Sequence, residues 1–290
     1  MNPRHHLPFY AYIGLGVIGL SEVLLWLDFR PVSEYFTPIV WTGYILVADG
    51  WLVKSGRPSF IQKYGARFVS LCVYSVFFWV IFEYYNFLLR NWYYQNLPAI
   101  WALRMLGYFW SFATVLPGIL ITSELVKLSP RIADLCHARI RVTPGRLNSW
   151  VLLGLLCMIG PLVFPSPYFF APVWLGVIFL LDPINYKLGK ASLLRDLESG
   201  DWSNCFPVLF SGFICGFLWE FWNYWAHTKW IYTVPISPQL KIFEMPILGF
   251  LGFGPFALEC YVATNLIFSK PEELVLGQRQ TVNIHAYPES

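Results

Sequence analysis

The sequence predicts an all-α, polytopic integral membrane protein with about eight transmembrane helices, arranged as two parallel four-helix repeats. Three observations predict this fold. Of the 290 residues, 57% are hydrophobic and only 13% are charged. Eight stretches approach or exceed the roughly 20 apolar residues that a bilayer-spanning helix needs. A pattern of polar residues occurs twice, once in each half of the chain.

The composition also excludes several classes of protein. Soluble domains carry about 25% charged residues and fewer apolar ones. Aromatic residues make up 19% of this chain, and the overall composition excludes a disordered chain, a nucleic-acid-binding domain and an ordinary cytosolic globule. The 6 Cys and 5 His residues show no CxxC, CxxH or HxxxH spacing. We therefore expect neither a disulfide framework nor a metal site.

Hydropathy locates the eight spans, of which the fifth is the shortest. They are Leu7–Leu27, Thr37–Val53, Phe68–Leu89, Ile100–Ile121, Trp150–Phe164, Phe169–Tyr186, Pro207–Trp225 and Phe243–Phe268. No cleavable signal pattern precedes the first span, so we expect it to be retained. Of the 20 Lys and Arg residues, 15 fall on the side that holds both termini, which predicts cytoplasmic termini. A bacterial inner membrane fits this pattern, and an internal eukaryotic membrane is the alternative.

The internal duplication depends on two sets of matching residues. The pattern W-x-G-x5-D-x4-K-x-G-[KR]-x-S occurs at residues 41–59 and again at 174–192. A second set, E-x-x-N followed by W-x-Y and two prolines, occurs at 83–117 and at 220–255. The matches divide one integrated membrane domain into a first repeat, residues 1–143, and a second, residues 144–290. Since each repeat has an even number of spans, both have the same orientation about an axis along the membrane normal.

Asp49 and Asp182, the acidic residues of the first pattern, mark the cytoplasmic ends of spans two and six. Each is followed by Lys-x-Gly-[Arg/Lys]. This is typical of a helix end where glycine is left-handed and cations face the helix dipole. We interpret both as salt-bridged, capped turns. The alternative is a site for a lipid phosphate or another anion in the basic loops.

The second pattern places polar residues in the outer part of spans three and seven. The two sets, spaced i, i+3, i+7, are Glu83, Asn86 and Arg90, and Glu220, Asn223 and His227. Each set is expected on one helix face, and ionisable groups within spans normally face the bundle interior, where packing would bring the sets together. A buried carboxyl group suits general-acid work, with the asparagine hydrogen-bonded to the acid. Alternatively, the pairs only join helices and Arg90 neutralises Glu83.

The second half holds the stronger candidates for chemistry, because His227 replaces the arginine and Glu244 begins span eight without a counterpart in the first half. Aromatic residues crowd the same region. The candidate substrate-binding residues are Trp219, Tyr224, Trp230, Tyr232 and His227. An aromatic lining would accommodate a polyene or stabilise a carbocation, and an interfacial belt is the alternative. Pro255 is expected to kink span eight, and no other interruption is expected in any span.

Three motifs follow one another in the second half: Trp219-Glu220-x-x-Asn223-Tyr224, then Trp230-x-Tyr232, then Glu244-x-Pro246. This order resembles the membrane-embedded lycopene cyclases of the heterodimeric bacterial and fused fungal type, which carry W-D-N-Y, a W-Y pair and P-x-E-E in tandem. Here the acid and the amide are two residues apart, one glutamate precedes the proline, and each unit has four helices where the family has about three. The resemblance implies proton-initiated cyclisation of an isoprenoid without metal or nucleotide, with Glu220 and Glu244 as acids and Asn223 orienting them.

The sequence therefore predicts a membrane enzyme that acts on a hydrophobic lipid without a cofactor, as a cyclase or isomerase. The candidate catalytic residues are Glu220, Asn223, Glu244, Glu83 and Asn86. A membrane lipid or isoprenoid is the expected partner, nucleic acid is not, and a homo-oligomer stays open. Two alternatives remain: a small proton- or cation-coupled transporter with the carboxylates at the repeat interface, and a non-catalytic assembly protein whose polar pairs are structural.

Overall fold

A computed structural model describes residues 6–133, 135, 138–236 and 238–270. Within this part of the chain, eight helical segments are long and apolar enough to cross a membrane. The fold is an all-α polytopic bundle, and the predicted fold class is confirmed. Both termini lie outside the described residues, as do six of the Cys, His and Arg residues counted above: Arg4, His5, Cys136, His137, Arg279 and His285.

Thirteen helices occur among the described residues. They are α1 (Phe9–Trp26), α2 (Arg30–Ser33), α3 (Phe36–Lys54), α4 (Phe60–Tyr64), α5 (Ala66–Leu89), α6 (Trp101–Ala113), α7 (Val115–Val126), α8 (Pro130–Ala133), α9 (Pro144–Val163), α10 (Phe170–Lys187), α11 (Leu193–Ser199), α12 (Cys205–Trp225) and α13 (Phe253–Phe268). Short 3-10 turns, Pro167–Phe169 and Ile247–Gly252, precede α10 and α13. The strands are β1 (Trp92–Gln95), β2 (Lys229–Tyr232), β3 (Lys241–Ile242) and β4 (Met245–Pro246).

Two helix pairs flank the central helices of the bundle. α1 packs against α3 and α9 against α10, while α7, α12 and α13 connect the two pairs. In the first pair, a β-carbon on Gly14 would lie 2.6 Å from the carbonyl oxygen of Gly43, so the backbones approach this closely only without side chains. Small residues have this role in membrane helix pairs. Outward-facing side chains such as Leu152 and Leu156 on α9 are exposed, which suits contact with acyl chains.

The fourth span is broken in its middle. α6 and α7 meet at Thr114, and Pro117 lies in the first turn of α7. The hydroxyl of Ser75 on α5 donates to the carbonyl oxygen of Phe112 at 2.5 Å and accepts from the backbone N–H of Leu116 at 3.0 Å. A side chain that inserts into the helical ladder in this way kinks a helix. The hydropathy of this span does not predict the interruption.

The eighth span begins later than the sequence predicts. Glu244 lies in the turn between β3 and β4, next to Phe243, whose φ of 58° is left-handed. The helical segment begins with the 3-10 turn at Ile247 and becomes α-helical at Phe253. Glu244 therefore does not begin the span. Pro255 lies in the first turn of α13, where proline is tolerated, and the span changes from a 3-10 turn to an α-helix two residues before it. The interruption expected near Pro255 is therefore confirmed, and a kink at the proline itself stays a prediction.

β1 and β2 pair as an antiparallel ribbon at one end of the bundle, which we call the strand end. Trp92 lies opposite Tyr232, and Tyr94 lies opposite Trp230. In the chain, the two tryptophans are 138 positions apart, as are the two tyrosines. Each tryptophan thus faces the tyrosine of the other half, which is the self-complementary pairing that a two-fold axis would produce. The duplication itself stays a prediction.

The two aspartates at the opposite end cap the loops that follow them. Asp49 accepts a hydrogen bond from the Ser59 hydroxyl at 2.7 Å. Asp182 accepts from the backbone N–H groups of Leu193 and Leu194, both at 2.8 Å. The glycines of both Lys-x-Gly patterns are left-handed, with φ of 77° and 70°. The capped turns are confirmed, but the expected salt bridges are wrong, since neither aspartate forms an ion pair within the described part of the chain.

Candidate active site

An apolar cavity lies next to the ribbon of β1 and β2 at the strand end. It contains about 1210 Å³ of empty space, a figure that includes the space open to the outside. Its aromatic lining residues are Tyr35, Trp41, Trp79, Phe82, Trp92, Tyr94, Tyr108, Phe112, Trp174, Trp219, Trp230, Tyr232, Phe253 and Phe256. We call this space the aromatic cavity.

The aromatic rings around the cavity join helices from both halves of the chain. The ring centroid of Trp41 on α3 lies 5.0 Å from that of Trp219 on α12. The ring of Trp79 on α5 lies 5.7 Å from that of Phe256 on α13, edge to face. Centroid distances of 4.5–7 Å are favourable for aromatic pairs. The aromatic cavity therefore lies where the two halves of the sequence meet.

Glu220 on α12 is the fully buried carboxyl group in the cavity wall. Its Oε1 accepts a hydrogen bond from the Tyr232 hydroxyl at 2.9 Å. The Trp230 Nε1 donates to the same hydroxyl, also at 2.9 Å. The Oε2 of Glu220 is buried and has no hydrogen-bond partner among the described residues. An unpaired buried polar atom costs about 1–3 kcal/mol, so Oε2 is the atom that a molecule in the cavity would satisfy.

Glu83 on α5 is the residue of the first half that corresponds to Glu220 in the repeated E-x-x-N pattern. Its hydrogen bonds differ from those of Glu220. Its Oε1 accepts from the Tyr94 hydroxyl at 2.6 Å, the Trp79 Nε1 at 2.8 Å and the Trp92 Nε1 at 3.3 Å. All three donors line the aromatic cavity, whereas Glu83 does not. Hydrogen bonds of this kind stabilise a carboxylate anion.

The phenols of Tyr94 and Tyr232 connect the two carboxyl groups to the aromatic cavity. Burial raises the pKa of both phenols well above the ordinary value, and the adjacent glutamates raise it further. Both phenols therefore keep their protons and act as hydrogen-bond donors. Because Tyr94 lines the cavity, Glu83 reaches the cavity contents through this phenol.

Asn86 and Asn223 bind the backbone of the strands, and the expected bonds to the acids are wrong. The Nδ2 of Asn223 donates to the carbonyl oxygen of Trp230 at 2.8 Å, and its Oδ1 accepts from the backbone N–H of Trp230 at 2.9 Å. Asn86 makes the same two bonds with Trp92, at 2.9 and 3.0 Å. Each asparagine thus fixes a strand against the preceding helix. Both are positioning residues for the W-x-Y side chains.

The helices end before the third residue of each i, i+3, i+7 set. α5 ends one residue before Arg90, which has a left-handed φ of 56°, and α12 ends two residues before His227. Neither residue therefore shares a helix face with its glutamate. The Nε2 of His227 lies 2.7 Å from an Nη1 of Arg30. Arg90 is exposed and forms no described ion pair with Glu83, so the expected neutralisation is also wrong.

Glu244 does not line the aromatic cavity. Its Oε1 accepts from the Nζ of Lys229 at 2.9 Å in a partly buried ion pair. This carboxyl group is thus already bound by a cation of the protein. The geometry therefore does not favour Glu244 as a general acid, although Lys229 itself lines the cavity.

The predicted substrate-binding residues divide between two cavities. Those that line the aromatic cavity are Trp219, Trp230 and Tyr232. Tyr224 and His227 instead line a second cavity together with Glu22 of α1. The predicted residues that line the aromatic cavity thus lie on β2 and α12, whereas Tyr224 on α12 and His227 beyond its end line the second cavity.

Sequence reasoning misses the share of the aromatic cavity that comes from the first half. Trp92 and Tyr94 occur in the repeated pattern, so their correspondence to the W-x-Y motif of the second half was the signal that could have identified them. Trp79 and Phe256 have no sequence signal, because tryptophan and phenylalanine are common throughout this chain. Arg104 has one, since it is a cation inside a predicted span, but it was not among the predicted site residues. Their place in the wall follows from helix packing.

The comparisons with known proteins identify no relative. No protein-family model, no curated protein and no solved structure matches the chain. Across the described residues, no group of three or more His, Cys, Asp or Glu side chains is placed to hold a metal ion. The site is therefore interpreted from its own chemistry.

Proposed function

We propose that this protein is a membrane enzyme that cyclises or isomerises an isoprenoid by proton transfer in the aromatic cavity. The observation that carries the proposal is Glu220, a fully buried carboxyl group in an aromatic wall whose Oε2 has no described partner. An apolar cavity favours the neutral, proton-carrying form of a carboxyl group. Such a group is suited to donate a proton to a bound hydrocarbon chain.

The reaction balances without any co-reactant. The Oε2 of Glu220 gives its proton to one carbon of a terminal double bond, and the other carbon becomes a carbocation. One carbon of a second double bond in the same chain bonds to this cation with its π electrons, so that a carbon–carbon bond forms and the other carbon of that double bond becomes the cation. Loss of a proton from a neighbouring carbon then makes a new double bond. One proton enters and one leaves, and the product is an isomer of the substrate.

The aromatic lining stabilises the cation and excludes water from it. The rings of Trp41, Trp79 and Trp219 line the cavity, and a cation over an aromatic face gains about 2 kcal/mol or more when it is desolvated. The proton leaves through Tyr94. Its oxygen accepts the substrate proton while its own proton moves to Glu83, whose Oε1 is 2.6 Å away.

This assignment keeps the chemistry that the resemblance to membrane-embedded lycopene cyclases implies but places the acid at Glu220 alone. Glu244 is ion-paired with Lys229 outside the cavity lining. Asn223 orients the strand that carries Tyr232, and through it the Glu220 carboxyl group. The relationship to that family is itself part of the proposal.

The test is lipid mass spectrometry with chromatographic separation on an isoprenoid-producing host that expresses wild type or Glu220→Gln. Wild type is expected to produce a lipid of unchanged mass and altered retention. Glu220→Gln removes the donated proton and should lower its formation by about 10²-fold or more. Formation of the isomer by this variant at the wild-type level would overturn the proposal. Identical lipid profiles with and without the wild-type protein would also overturn it.

A matched control is available at the opposite end of the bundle. The carboxylate of Glu198 accepts a hydrogen bond from the Tyr186 hydroxyl at 2.6 Å, so it repeats the carboxyl–phenol pair of Glu220 and Tyr232 outside the aromatic cavity. Glu198→Gln should leave isomer formation at the wild-type level. Equal losses in both variants would indicate general damage to the fold.

A proton-coupled transporter is the second candidate function, and Glu259 favours it. This residue of α13 is fully buried, and neither of its carboxyl oxygens has a hydrogen-bond partner among the described residues. Ionisable residues inside spans commonly belong to proton pathways. Reconstitution into proteoliposomes would test this function. Substrate-dependent proton flux that is lost in Glu259→Gln would support transport. No such flux in wild type would exclude the transporter and leave the enzyme as the proposed function.

We also propose that both termini are cytoplasmic and that the membrane is a bacterial inner membrane. Basic residues support this orientation, because the end of the bundle opposite the ribbon carries most of them in the described ranges. They include Lys54, Arg57, Lys63, Arg67, Lys127, Arg131, Arg146, Lys187 and Lys190. An excess of Lys and Arg marks the cytoplasmic side of membrane proteins.

A further inference from the structure

Arg104 is a cation in the wall of the aromatic cavity that has no acidic partner among the described residues. It is half-buried in the first turn of α6, inside a membrane-spanning segment. Its Nε donates to the carbonyl oxygen of Pro98 at 3.1 Å, which fixes the guanidinium. Glu34 lines the same wall but forms no ion pair with it. A charged side chain within a span is costly when it is unpaired.

The other lining cation is already neutralised. The Nζ of Lys229 lies 2.9 Å from the Glu244 carboxylate and donates to the carbonyl oxygen of Tyr224 at 3.2 Å. Its charge therefore has a partner within the protein. Of the cations in the described cavity wall, Arg104 is the one whose charge is available to a ligand.

One face of α6 runs from this charge into the aromatic part of the cavity. Arg104, Gly107, Tyr108, Ser111 and Phe112 line the cavity, which is the i, i+3, i+4, i+7, i+8 spacing of a single helix face. At a rise of 1.5 Å per residue, this face is about 12 Å long. The wall is therefore charged at one end and apolar at the other, which matches an amphipathic ligand.

A hydroxyl group without a partner lies in the same region. The Oγ1 of Thr37 is buried, lines the cavity and has no hydrogen-bond partner among the described residues. It follows Tyr35 by two residues, and the Tyr35 hydroxyl donates to the carbonyl oxygen of Leu103 at 3.0 Å. This bond ties the start of α3 to the first turn of α6. Thr37 is thus a second donor on the wall that holds Arg104.

We propose that the substrate is an isoprenoid that carries an anionic phosphate group, and that the Arg104 guanidinium binds this group while the chain occupies the aromatic part of the cavity. The inference rests on the proposed function and narrows its substrate class. Arginine presents pairs of N–H groups that match phosphate oxygens. The N-terminus of α6 adds positive potential at the same place. A substrate made only of hydrocarbon would leave this charge without a partner.

The test is displacement of tritiated geranylgeranyl diphosphate from the purified protein in phosphatidylcholine nanodiscs. Competitors are unlabelled geranylgeranyl diphosphate, geranylgeraniol, inorganic diphosphate and dioleoyl phosphatidic acid. In wild type, the prenyl diphosphate should bind at least tenfold more tightly than each of the other three. Arg104→Gln should reduce its advantage over the alcohol to about twofold, and Arg104→Lys should restore part of it.

Lys241→Gln is the matched control, because Lys241 is an exposed cation of the strand end that does not line the cavity. It should keep the wild-type affinities. Equal binding of the alcohol and the diphosphate in wild type would overturn the inference without any variant. Equal binding of inorganic diphosphate would indicate a site for free phosphate, and equal binding of phosphatidic acid would indicate a site for bulk lipid. Each of these results overturns it as well.

Failure of this inference can be told apart from failure of the proposed function. Tight, Arg104-dependent binding of the diphosphate without any isomer formed in the lipid assay would overturn the enzyme and leave the binding site. Conversion of an uncharged isoprenoid, with no preference for a phosphate group, would overturn the binding site and leave the enzyme.

Discussion

Trp92 on β1 lies directly opposite Tyr232 on β2, and these two neighbours serve different carboxyl groups. The indole of Trp92 donates to Glu83, whereas the phenol of Tyr232 donates to Glu220. A single backbone pair therefore links the hydrogen-bond networks of both buried glutamates. Displacement of either strand would disturb both networks together.

Tyr232→Phe should lower turnover while leaving substrate affinity near that of wild type. The change removes the hydrogen bond to the Oε1 of Glu220 and leaves the Trp230 indole N–H without its acceptor. We expect kcat to fall by about 10-fold to 100-fold, since a neutral hydrogen bond contributes roughly 1 kcal/mol and an unsatisfied buried group adds a penalty. Separate measurement of kcat and KM on the isomerised lipid checks this. Tyr186→Phe removes the corresponding phenol at Glu198 and should change neither constant.

Asn223→Ala should destabilise the fold at the strand end. The substitution leaves the backbone N–H and carbonyl oxygen of Trp230 without their partners. We expect the free energy of unfolding to fall by about 2 kcal/mol, measured in dodecyl maltoside with increasing dodecyl sulfate. Asn148→Ala is the control, because this asparagine makes an exposed contact with the Nζ of Lys187. An equal loss in both variants would contradict the role assigned to Asn223.

Ser75→Ala should disturb the break between α6 and α7. The Ser75 hydroxyl bridges the carbonyl oxygen of Phe112 and the N–H of Leu116, which no longer bond to each other. Without the bridge, these two groups are either left unpaired or draw together and straighten the span. We expect about 1–2 kcal/mol of lost stability and a fall in turnover, because Phe112 and Val115 line the cavity. Ser149→Ala removes an exposed hydroxyl on α9 and should lower neither stability nor turnover.

Glu244→Gln separates the sequence-based assignment from the structural one. If Glu244 were the general acid, Glu244→Gln should lower turnover as much as Glu220→Gln does. Since its carboxylate is ion-paired with Lys229, we expect the turnover to remain at least tenfold higher than in Glu220→Gln. Initial rates of isomer formation at saturating substrate provide the comparison. An equal loss of turnover in the two variants would indicate that Glu244 takes part in the reaction.

Cysteine labelling checks the orientation of the bundle. Lys241 lies at the strand end and Arg146 begins α9 at the opposite end. In a cysteine-free background, a membrane-impermeant maleimide added to intact cells should label Lys241→Cys and leave Arg146→Cys unlabelled until the cells are opened. The reverse pattern would invert the proposed topology.

Local properties of the chain were enough to predict the bundle. Apolar runs of about 20 residues must form helices in a bilayer, because no water is present there to bond an open backbone. The turns after spans two and six were predicted from Asp, Lys and Gly at fixed spacing, because a helix end depends on the residues next to it in the chain. The W-x-Y motif that follows each glutamate in the chain was likewise visible, as were three of the aromatic side chains that line the cavity, but the hydrogen bonds between glutamate and tyrosine were not.

The partners of the polar side chains were decided by the tertiary structure. Spacing placed His227 and Arg90 on helix faces with the glutamates, but both helices end before these residues. The asparagines bond to the strand backbone and not to the glutamates. Glu244 and Lys229 meet across a loop, and Trp79, Phe256 and Arg104 reach one wall only when their helices pack. Sequence determined which segments lie in the membrane because burial of apolar surface depends on local composition. Three-dimensional packing decided which carboxyl group faces the cavity, because hydrogen bonds and ion pairs depend on distances between segments that are remote in the chain.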